Sequence, residues 1–136
     1  MGDASAEEDY VQGALGYAST KNAPVLFICE DNDLSILTPV STRRNWSIVD
    51  VCHAYNMEAV DITDDPWLIA HYIKTIKLPG LINIRTCRGI WHSGTGQDGF
   101  PEWDRFELIK KSLTALNYEY SEIEAEEKFK IEKLWA

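Results

Sequence analysis

The sequence predicts an α/β domain in which helices cover both faces of a parallel sheet. Helical and strand patterns alternate along most of the chain, an order typical of parallel strands joined by helical crossovers. Residues 25–29, Val-Leu-Phe-Ile-Cys, form a continuous apolar run, as expected for a strand buried on both sides. Polar residues follow this strand and the third strand candidate, at the end of the sheet where α/β folds bind their ligands.

The individual elements follow from local signals. In chain order we predict helices over residues 5–20, 46–55 and 66–77, strands over residues 25–29, 58–62 and 81–84, and two amphipathic helices after residue 102. Ser5 and Glu8 have the spacing of a capping box at the start of the first helix. Asn56 is a plausible C-terminal cap of the second helix, and Asp65 with Pro66 is a strong start for the third.

Apolar positions with helical spacing indicate which helix faces are buried. In the first helix this stripe includes Tyr10, Ala14, Leu15, Tyr17 and Ala18, and in the third helix Leu68, Ile69, Tyr72, Ile73 and Ile76. Two loops separate the regular elements, a polar one over residues 31–45 and a long one over residues 86–102. We expect a single domain over residues 1–116, followed by a C-terminal helical tail over residues 117–136.

Composition excludes several classes of protein. The chain has 136 residues and a formal net charge of −9, from 22 acidic and 13 basic residues, which argues against nucleic-acid binding. No apolar run approaches the roughly 20 residues of a membrane-spanning helix, and residues 1–10 do not resemble a signal peptide. The three cysteines have no C-x-x-C spacing, so we expect reduced thiols in a cytoplasmic protein.

Two oxygen-bearing side chains are predicted to meet at one edge of the sheet. Asp3 and Asn32 are separated by one helix and one apolar strand, a unit that returns a chain to the same end of a parallel sheet. A carboxylate and an amide oxygen suit Mg²⁺ that takes its other ligands from water and a diphosphate. Alone, Gly2-Asp3 is a common turn, and Asp31-Asn32-Asp33 is more often a solvated loop than a metal site. The two segments together, at this separation along the chain, are a more specific signal for a metal site.

With these motifs in place, the chain resembles a known family. The motifs are Gly2-Asp3-Ala4, the segment from Pro24 to Asn32, and the segment from Thr86 to Ser93. They resemble the second half of the alpha subunit of thiamine diphosphate-dependent 2-oxo acid dehydrogenases, the group of the pyruvate, branched-chain and acetoin enzymes. The resemblance covers roughly residues 2–112. It implies a thiamine diphosphate-binding fold, with residues 1–116 as its diphosphate-binding part.

The resemblance also implies roles for individual residues. Asp3 and Asn32 match the Mg²⁺ ligands, and Leu34 matches a position that adds a backbone carbonyl. The segment Gly2-Asp3-Ala4-Ser5 would bind the cofactor, with the N–H groups of Ala4 and Ser5 facing the diphosphate at a helix start.

Two further residues match the loop that follows the third strand. Arg88 matches an arginine that binds the phosphates, and its planar guanidinium suits phosphate oxygens. His92 matches an active-site histidine, and we expect it to be catalytic because imidazole exchanges protons near neutral pH. Ser93 matches a position that is phosphorylated in some animal relatives. The apolar Ile90 and Trp91 depart from the family pattern and leave the substrate open.

The resemblance implies partner chains as well. In this architecture a strand should precede Gly2, so we expect a fold that is incomplete at its N-terminal side and completed by another polypeptide or a second copy. A beta-type subunit would supply the pyrimidine-binding domain, and a lipoyl-bearing acyltransferase is a further candidate partner. The chain by itself is then expected to catalyse nothing.

Two other functions remain open from the sequence. A transketolase-like enzyme shares the Gly-Asp and Asn anchor, and an aliphatic Leu34 suits it. A non-catalytic assembly module would keep the fold and bind only a partner. The tail from Glu119 onward is most simply a solvated helical face.

Overall fold

The chain forms two compact units in the computed structural model, which describes residues 1–90, 92 and 101–135. The units are Met1–Glu102 and Trp103–Ala136. The first contains α1 (Asp9–Lys21), β1 (Leu26–Asp31), β2 (Leu34–Ser35), β3 (Thr38–Pro39), α2 (Val40–Arg43), α3 (Ile48–Ala54), β4 (Glu58–Thr63), α4 (Pro66–Thr75) and β5 (Gly80–Arg85). The second contains α5 (Arg105–Ala115) and α6 (Ser121–Trp135). The predicted domain boundary at residue 116 falls between these last two helices.

A three-stranded parallel sheet forms the centre of the first unit. Its strand order is β1-β5-β4, with Asn83 of the central strand opposite Cys29 on one side and Asp61 on the other. Gly2 forms a parallel bridge with Glu30, so residues 1–3 lie beside the carboxyl half of β1 at the outer edge of the sheet. The predicted parallel sheet is confirmed.

Helices cover both faces of this sheet, as the sequence predicts. On one face α1 and α3 bury a cluster that includes Leu15, Ile48, Cys52 and Leu81. On the opposite face α4 packs against a second cluster that includes Ile62, Ile76, Ile82 and Ile84. The two clusters alternate along β5, with Leu81 on one face and Ile82 on the other, because successive strand residues point in opposite directions.

The start of the first helix differs from the prediction. Ser5–Glu7 form a single 3₁₀ turn, Glu8 is extended, and α1 begins at Asp9. No side chain caps either element, so the capping-box interpretation of Ser5 and Glu8 is wrong. The buried positions of α1 are Val11, Leu15 and Ala18, whereas Tyr10 and Tyr17 are 69% and 66% exposed and Ala14 is also exposed. The buried face of α1 is still centred on Leu15, although the helix begins four residues later than predicted. Tyr10 and Tyr17 lie beside this face and not within it.

Other elements lie close to their predicted positions. The Asp65 carboxylate accepts hydrogen bonds from the N–H groups of Trp67 and Leu68 at 3.0 and 3.1 Å, which confirms the predicted helix start. In α4 only Ile73 departs from the predicted stripe, being half exposed. The segment predicted as a polar loop over residues 31–45 instead contains the β2–β3 hairpin and α2, whose short elements leave little periodicity in the sequence.

Replacing two glycines of the first unit by alanine should change the stability of the protein in opposite directions. A Cβ added at Gly80 would lie 2.7 Å from the carbonyl oxygen of Lys77, so Gly80→Ala must displace backbone at the start of β5. We expect this variant to lose about 1–3 kcal/mol of stability. A Cβ added at Gly13 in α1 meets no atom within 4 Å, so Gly13→Ala should gain about 0.5–1 kcal/mol from helix propensity. Urea unfolding of both variants tests the pair, and equal shifts of the midpoint would contradict it.

The cysteines are unpaired, and two of them belong to the core. Cys29 and Cys52 are fully buried and Cys87 is half-buried. Burial, together with the Asp31 carboxylate, raises the pKa of Cys29 to about 12, and burial raises the pKa of Cys52 to about 11. Because thiolates are the reactive form, we expect a disulfide reagent to label only Cys87 in the folded protein up to pH 9 and all three thiols in urea. Labelling of Cys29 at the rate of Cys87 would contradict this assignment.

The second unit is a helical hairpin. Lys110 of α5 and Glu124 of α6 form an ion pair at 2.8 Å, and neither helix has a buried residue. The two amphipathic helices predicted after residue 102 are confirmed. Within the described ranges, none of the helices has the length and apolar character needed to span a bilayer.

Candidate functional site

The structure brings Asp3 and Asn32 to the same end of the sheet. The N–H of Asp3 donates to the carbonyl of Glu30 at 3.2 Å, and the N–H of Glu30 donates to the carbonyl of Met1 at 2.8 Å. These parallel hydrogen bonds place Asp3 beside the last residues of β1, and Asn32 is the first residue after that strand. The juxtaposition that the sequence predicts is therefore the one observed, and the metal-binding role of the two residues stays a prediction.

The carboxylate of Asp3 is buried and ion-paired. Asp3 is 3% exposed, and its Oδ2 accepts a hydrogen bond from Nη2 of Arg43, the last residue of α2. Nη1 of the same guanidinium donates to Glu7, so Arg43 joins two acidic side chains. Arg44 approaches from the same segment, and its Nη1 donates to the carbonyl oxygen of Asp3 at 3.2 Å. The two arginines thus tie the segment after the β2–β3 hairpin to the start of the chain.

Asn32 and Leu34 form the turn that leads into the hairpin. Oδ1 of Asn32 accepts the N–H of Leu34 at 3.1 Å, a side-chain turn that asparagine commonly makes. Leu34 pairs with Pro39 across the hairpin, and Asp33 between the two residues has a φ of 64°. The hydrogen bond from the Leu34 N–H therefore sets the orientation of the Asn32 side-chain amide.

Ala4 and Ser5 lie on the 3₁₀ turn rather than at the start of a long helix. The N–H of Ala6 donates to the carbonyl of Gly2 at 3.2 Å, and that of Glu7 donates to Ala4 at 3.1 Å. The N–H groups of Ala4 and Ser5 precede these first donors of the turn, as at any helix start. A three-residue turn has no appreciable macrodipole, so any attraction for an anion here comes from individual N–H groups. This corrects the expectation of a helix N-terminus at Ser5.

Arg88 contacts the β2–β3 hairpin through a hydrogen bond. It lies after β5, and its Nη2 donates to the carbonyl of Ile36 at 2.5 Å. His92 is exposed, and Trp91 and Ser93 lie outside the described residues. The structure therefore connects Arg88 with the hairpin that contains Leu34, and within the described residues no hydrogen bond or ion pair joins His92 to either of them.

The oxygen donors in this region are of the chemical kind that a hard divalent cation binds. Asp3 offers a carboxylate, Asn32 an amide oxygen and Leu34 a carbonyl, a set that suits Mg²⁺ when water and phosphate complete it. Across the described chain, no three His, Cys, Asp or Glu side chains form a metal-binding group, so a metal here would need the Asn32 amide and the Leu34 carbonyl as ligands. Arg43 is the cation that now neutralises Asp3, and a bound metal would compete with it for Oδ2.

Sequence reasoning missed three polar residues near the carboxyl end of the sheet. Arg43 and Arg44 lie in the segment predicted as a polar loop, and nothing local in the sequence identifies Asp3 and Glu7 as their partners. Asn83 interrupts the apolar strand Leu81-Ile-Asn-Ile84, and a buried amide in a central strand is a signal that could have been used. Its Nδ2 donates to the carboxylates of Asp31 and Asp61 at 3.2 and 3.1 Å.

Comparison with known proteins identifies the fold. No protein-family model matches the sequence, and none of the curated proteins matches it. Among solved structures, the transketolase of Campylobacter jejuni subsp. jejuni NCTC 11168 matches with a TM-score of 0.56 and 24% identity. The fold is shared with part of a transketolase. The match covers 63% of this chain and 14% of the transketolase chain, so the likeness concerns a short segment of that protein. It confirms the predicted α/β fold, which this chain shares with that segment of the transketolase.

Proposed function

We propose that this chain supplies the Mg²⁺- and diphosphate-binding part of a thiamine diphosphate-dependent enzyme. The finer assignment is a subunit of a 2-oxo acid dehydrogenase or decarboxylase. The observation that supports it most directly is the placement of Asp3 and Asn32 at the same end of the sheet, at the carboxyl ends of neighbouring parallel segments. Ligands of α/β folds bind at this end of the sheet, and the fold is the one that the transketolase match identifies.

Each proposed site residue has a distinct role. Asp3, Asn32 and the Leu34 carbonyl would hold the metal, and the N–H groups of Ala4 and Ser5 would face the diphosphate. Arg88 would bind phosphate oxygens through its planar guanidinium, which suits bidentate contact with phosphate. His92 would exchange a proton with substrate at an imidazole nitrogen. When bound, the cofactor supplies the carbanion chemistry that decarboxylates a 2-oxo acid.

The proposed enzyme needs other chains. Residues 1–3 pair only with the carboxyl half of β1, and no described strand pairs with Leu26 or Phe27 on that side. An unpaired sheet edge is a natural place for another polypeptide to add. We propose that a chain carrying the other half of this domain docks there, and that a beta-type subunit provides the pyrimidine-binding domain. A lipoyl-bearing acyltransferase would accept the product.

Calorimetric titration tests the cofactor assignment. Thiamine diphosphate is titrated with and without Mg²⁺ into the chain alone and into the complex that co-purifies from the native source. We expect Mg²⁺-dependent binding in the complex and little or none in the chain alone. Absence of binding in both samples would remove the cofactor assignment and favour an assembly module with the same fold.

A transketolase-like enzyme is the second candidate, because the matching solved structure is a transketolase. Substrate assays of the assembled complex separate the two candidates. Turnover of 2-oxo acids with an artificial electron acceptor supports the dehydrogenase assignment. Two-carbon transfer from ketose phosphates, without turnover of 2-oxo acids, would replace it with the transketolase-like one.

A further inference from the structure

A polar cavity lies at the carboxyl end of the sheet, on the face covered by α3. Its volume is about 340 Å³, well above the roughly 30 Å³ that one water molecule occupies. Asp31, Asn83 and Asp61 line it from the three neighbouring strands β1, β5 and β4. Arg44 and Trp46 line it from the segment that leads into α3. The cavity therefore has room for a small organic molecule among polar side chains.

Asn83 contributes a buried acceptor without a partner. The residue is 5% exposed, and its Nδ2 donates to Oδ2 of Asp31 and Oδ1 of Asp61. These carboxylates fix the orientation of the amide, because a flipped amide would place Oδ1 against two negative charges. Within the described part of the chain, Oδ1 is left without a hydrogen-bond partner. A buried acceptor without a partner destabilises the fold, so a donor from a ligand or water is expected there.

Arg44 contributes a buried donor without a partner. Its side chain is 4% exposed, and its guanidinium carbon lies 4.9 Å from the centre of the Trp46 ring. Nη1 donates to the carbonyl of Asp3, but Nε has no hydrogen-bond partner among the described residues. Two residues that line the cavity thus each carry a buried polar atom without a partner there. One is an acceptor on Asn83, which is 5% exposed, and the other is a donor on Arg44, whose side chain is 4% exposed.

The charges around the cavity select the chemistry of the occupant. Asp31, Asp61 and Asp50 bring three carboxylates to its lining, against the single guanidinium of Arg44. Arg85 contacts Asp61 at 3.3 Å from the solvent side and offsets part of this excess. The remaining negative charge favours a ligand with a cationic donor and disfavours phosphates or dicarboxylates. The unpartnered Nε–H of Arg44 requires that the same ligand carry an oxygen acceptor.

We propose that this cavity binds a small molecule with a primary ammonium next to an oxygen acceptor, as in an α-amino acid or an amino alcohol. The ammonium donates to Oδ1 of Asn83 and to the carboxylates of Asp31 and Asp61. The oxygen accepts the Nε–H of Arg44, and Trp46 forms an apolar wall. This site does not depend on the proposed cofactor, since none of the residues assigned to Mg²⁺ or diphosphate lines the cavity.

Binding to the full chain can be measured by NMR. The side-chain amide signals of Asn83 and the indole signal of Trp46 are followed during titration with serine, ethanolamine, ethylammonium, glycolate and Mg²⁺ alone. We expect both signals to shift with serine or ethanolamine, and affinities at least about tenfold weaker for ethylammonium and glycolate, each of which lacks one group. Serine and ethanolamine distinguish a carboxylate from a hydroxyl as the acceptor.

Two arginine variants sharpen the result. Arg44→Met keeps an unbranched stem but removes the Nε–H donor, and should weaken serine binding at least about tenfold without weakening ethylammonium. Arg85→Met also removes a guanidinium, but one that contacts Asp61 from outside the cavity and offsets part of the negative charge, so it should leave serine affinity unchanged or raise it. Absence of shifts with every ammonium compound, or shifts with Mg²⁺ alone, would overturn the proposal. The wild-type titration decides this even where Arg44→Met fails to fold.

Discussion

Replacing Asp3 by Asn is expected to abolish most Mg²⁺-dependent binding of thiamine diphosphate in the assembled complex. The substitution keeps the shape of the side chain but replaces a charged metal ligand with a neutral one, and affinity should fall at least about tenfold. The protein should also lose about 1–3 kcal/mol of stability, because Arg43 loses its ion pair with the buried Asp3 carboxylate and keeps the one with Glu7. Titration calorimetry measures the affinity, and thermal unfolding the stability.

Glu7→Gln is the matched control for this experiment. Glu7 contacts the same guanidinium as Asp3 but is not assigned to the metal, and its side chain is 25% exposed. This variant should lose stability through the ion pair and keep Mg²⁺-dependent cofactor binding. An Asp3→Asn complex that binds the cofactor as tightly as wild type would refute the metal assignment. Equal loss of binding in both variants would instead assign the effect to the ion-pair network.

Leu81→Ala is expected to cause the largest loss of stability by packing alone. Leu81 is fully buried on the central strand, where it packs with the core residues of α1 and α3. Truncation of such a leucine removes buried apolar surface and leaves a cavity, at a cost of about 2–5 kcal/mol. Domains of this size are stabilised by only about 5–15 kcal/mol, so we expect the urea midpoint of the variant to fall by a clearly measurable margin.

The matched control is another leucine of the same unit. Leu37, at the tip of the β2–β3 hairpin, is 59% exposed. Leu37→Ala should shift the free energy of unfolding by no more than about 0.5 kcal/mol. Urea unfolding followed by tryptophan fluorescence compares the two variants. Similar midpoints for Leu81→Ala and Leu37→Ala would contradict the placement of Leu81 in the core.

The buried amide of Asn83 marks the limit of pattern reading along a single strand. The apolar run around it predicts β5 correctly, because strand composition is a local property. Its hydrogen bonds to Asp31 and Asp61 join residues 52 and 22 positions away, and no local pattern reports them. The orphaned acceptor that supports the proposed ligand site becomes visible only when the three strands lie side by side.

The sequence by itself determined the order of the main elements, the helix start at Asp65 and the placement of Asp3 and Asn32 at the same end of the sheet. These features depend on hydrophobic periodicity, capping chemistry and the topology of parallel strands, which are encoded locally or follow from the fold class. Only the tertiary structure decided that Asp3 pairs with Arg43, that Ser5 begins a 3₁₀ turn, and that a polar cavity forms beside Arg44. Long charged side chains choose their partners by proximity and burial across the fold, and neither quantity is fixed by spacing along the chain.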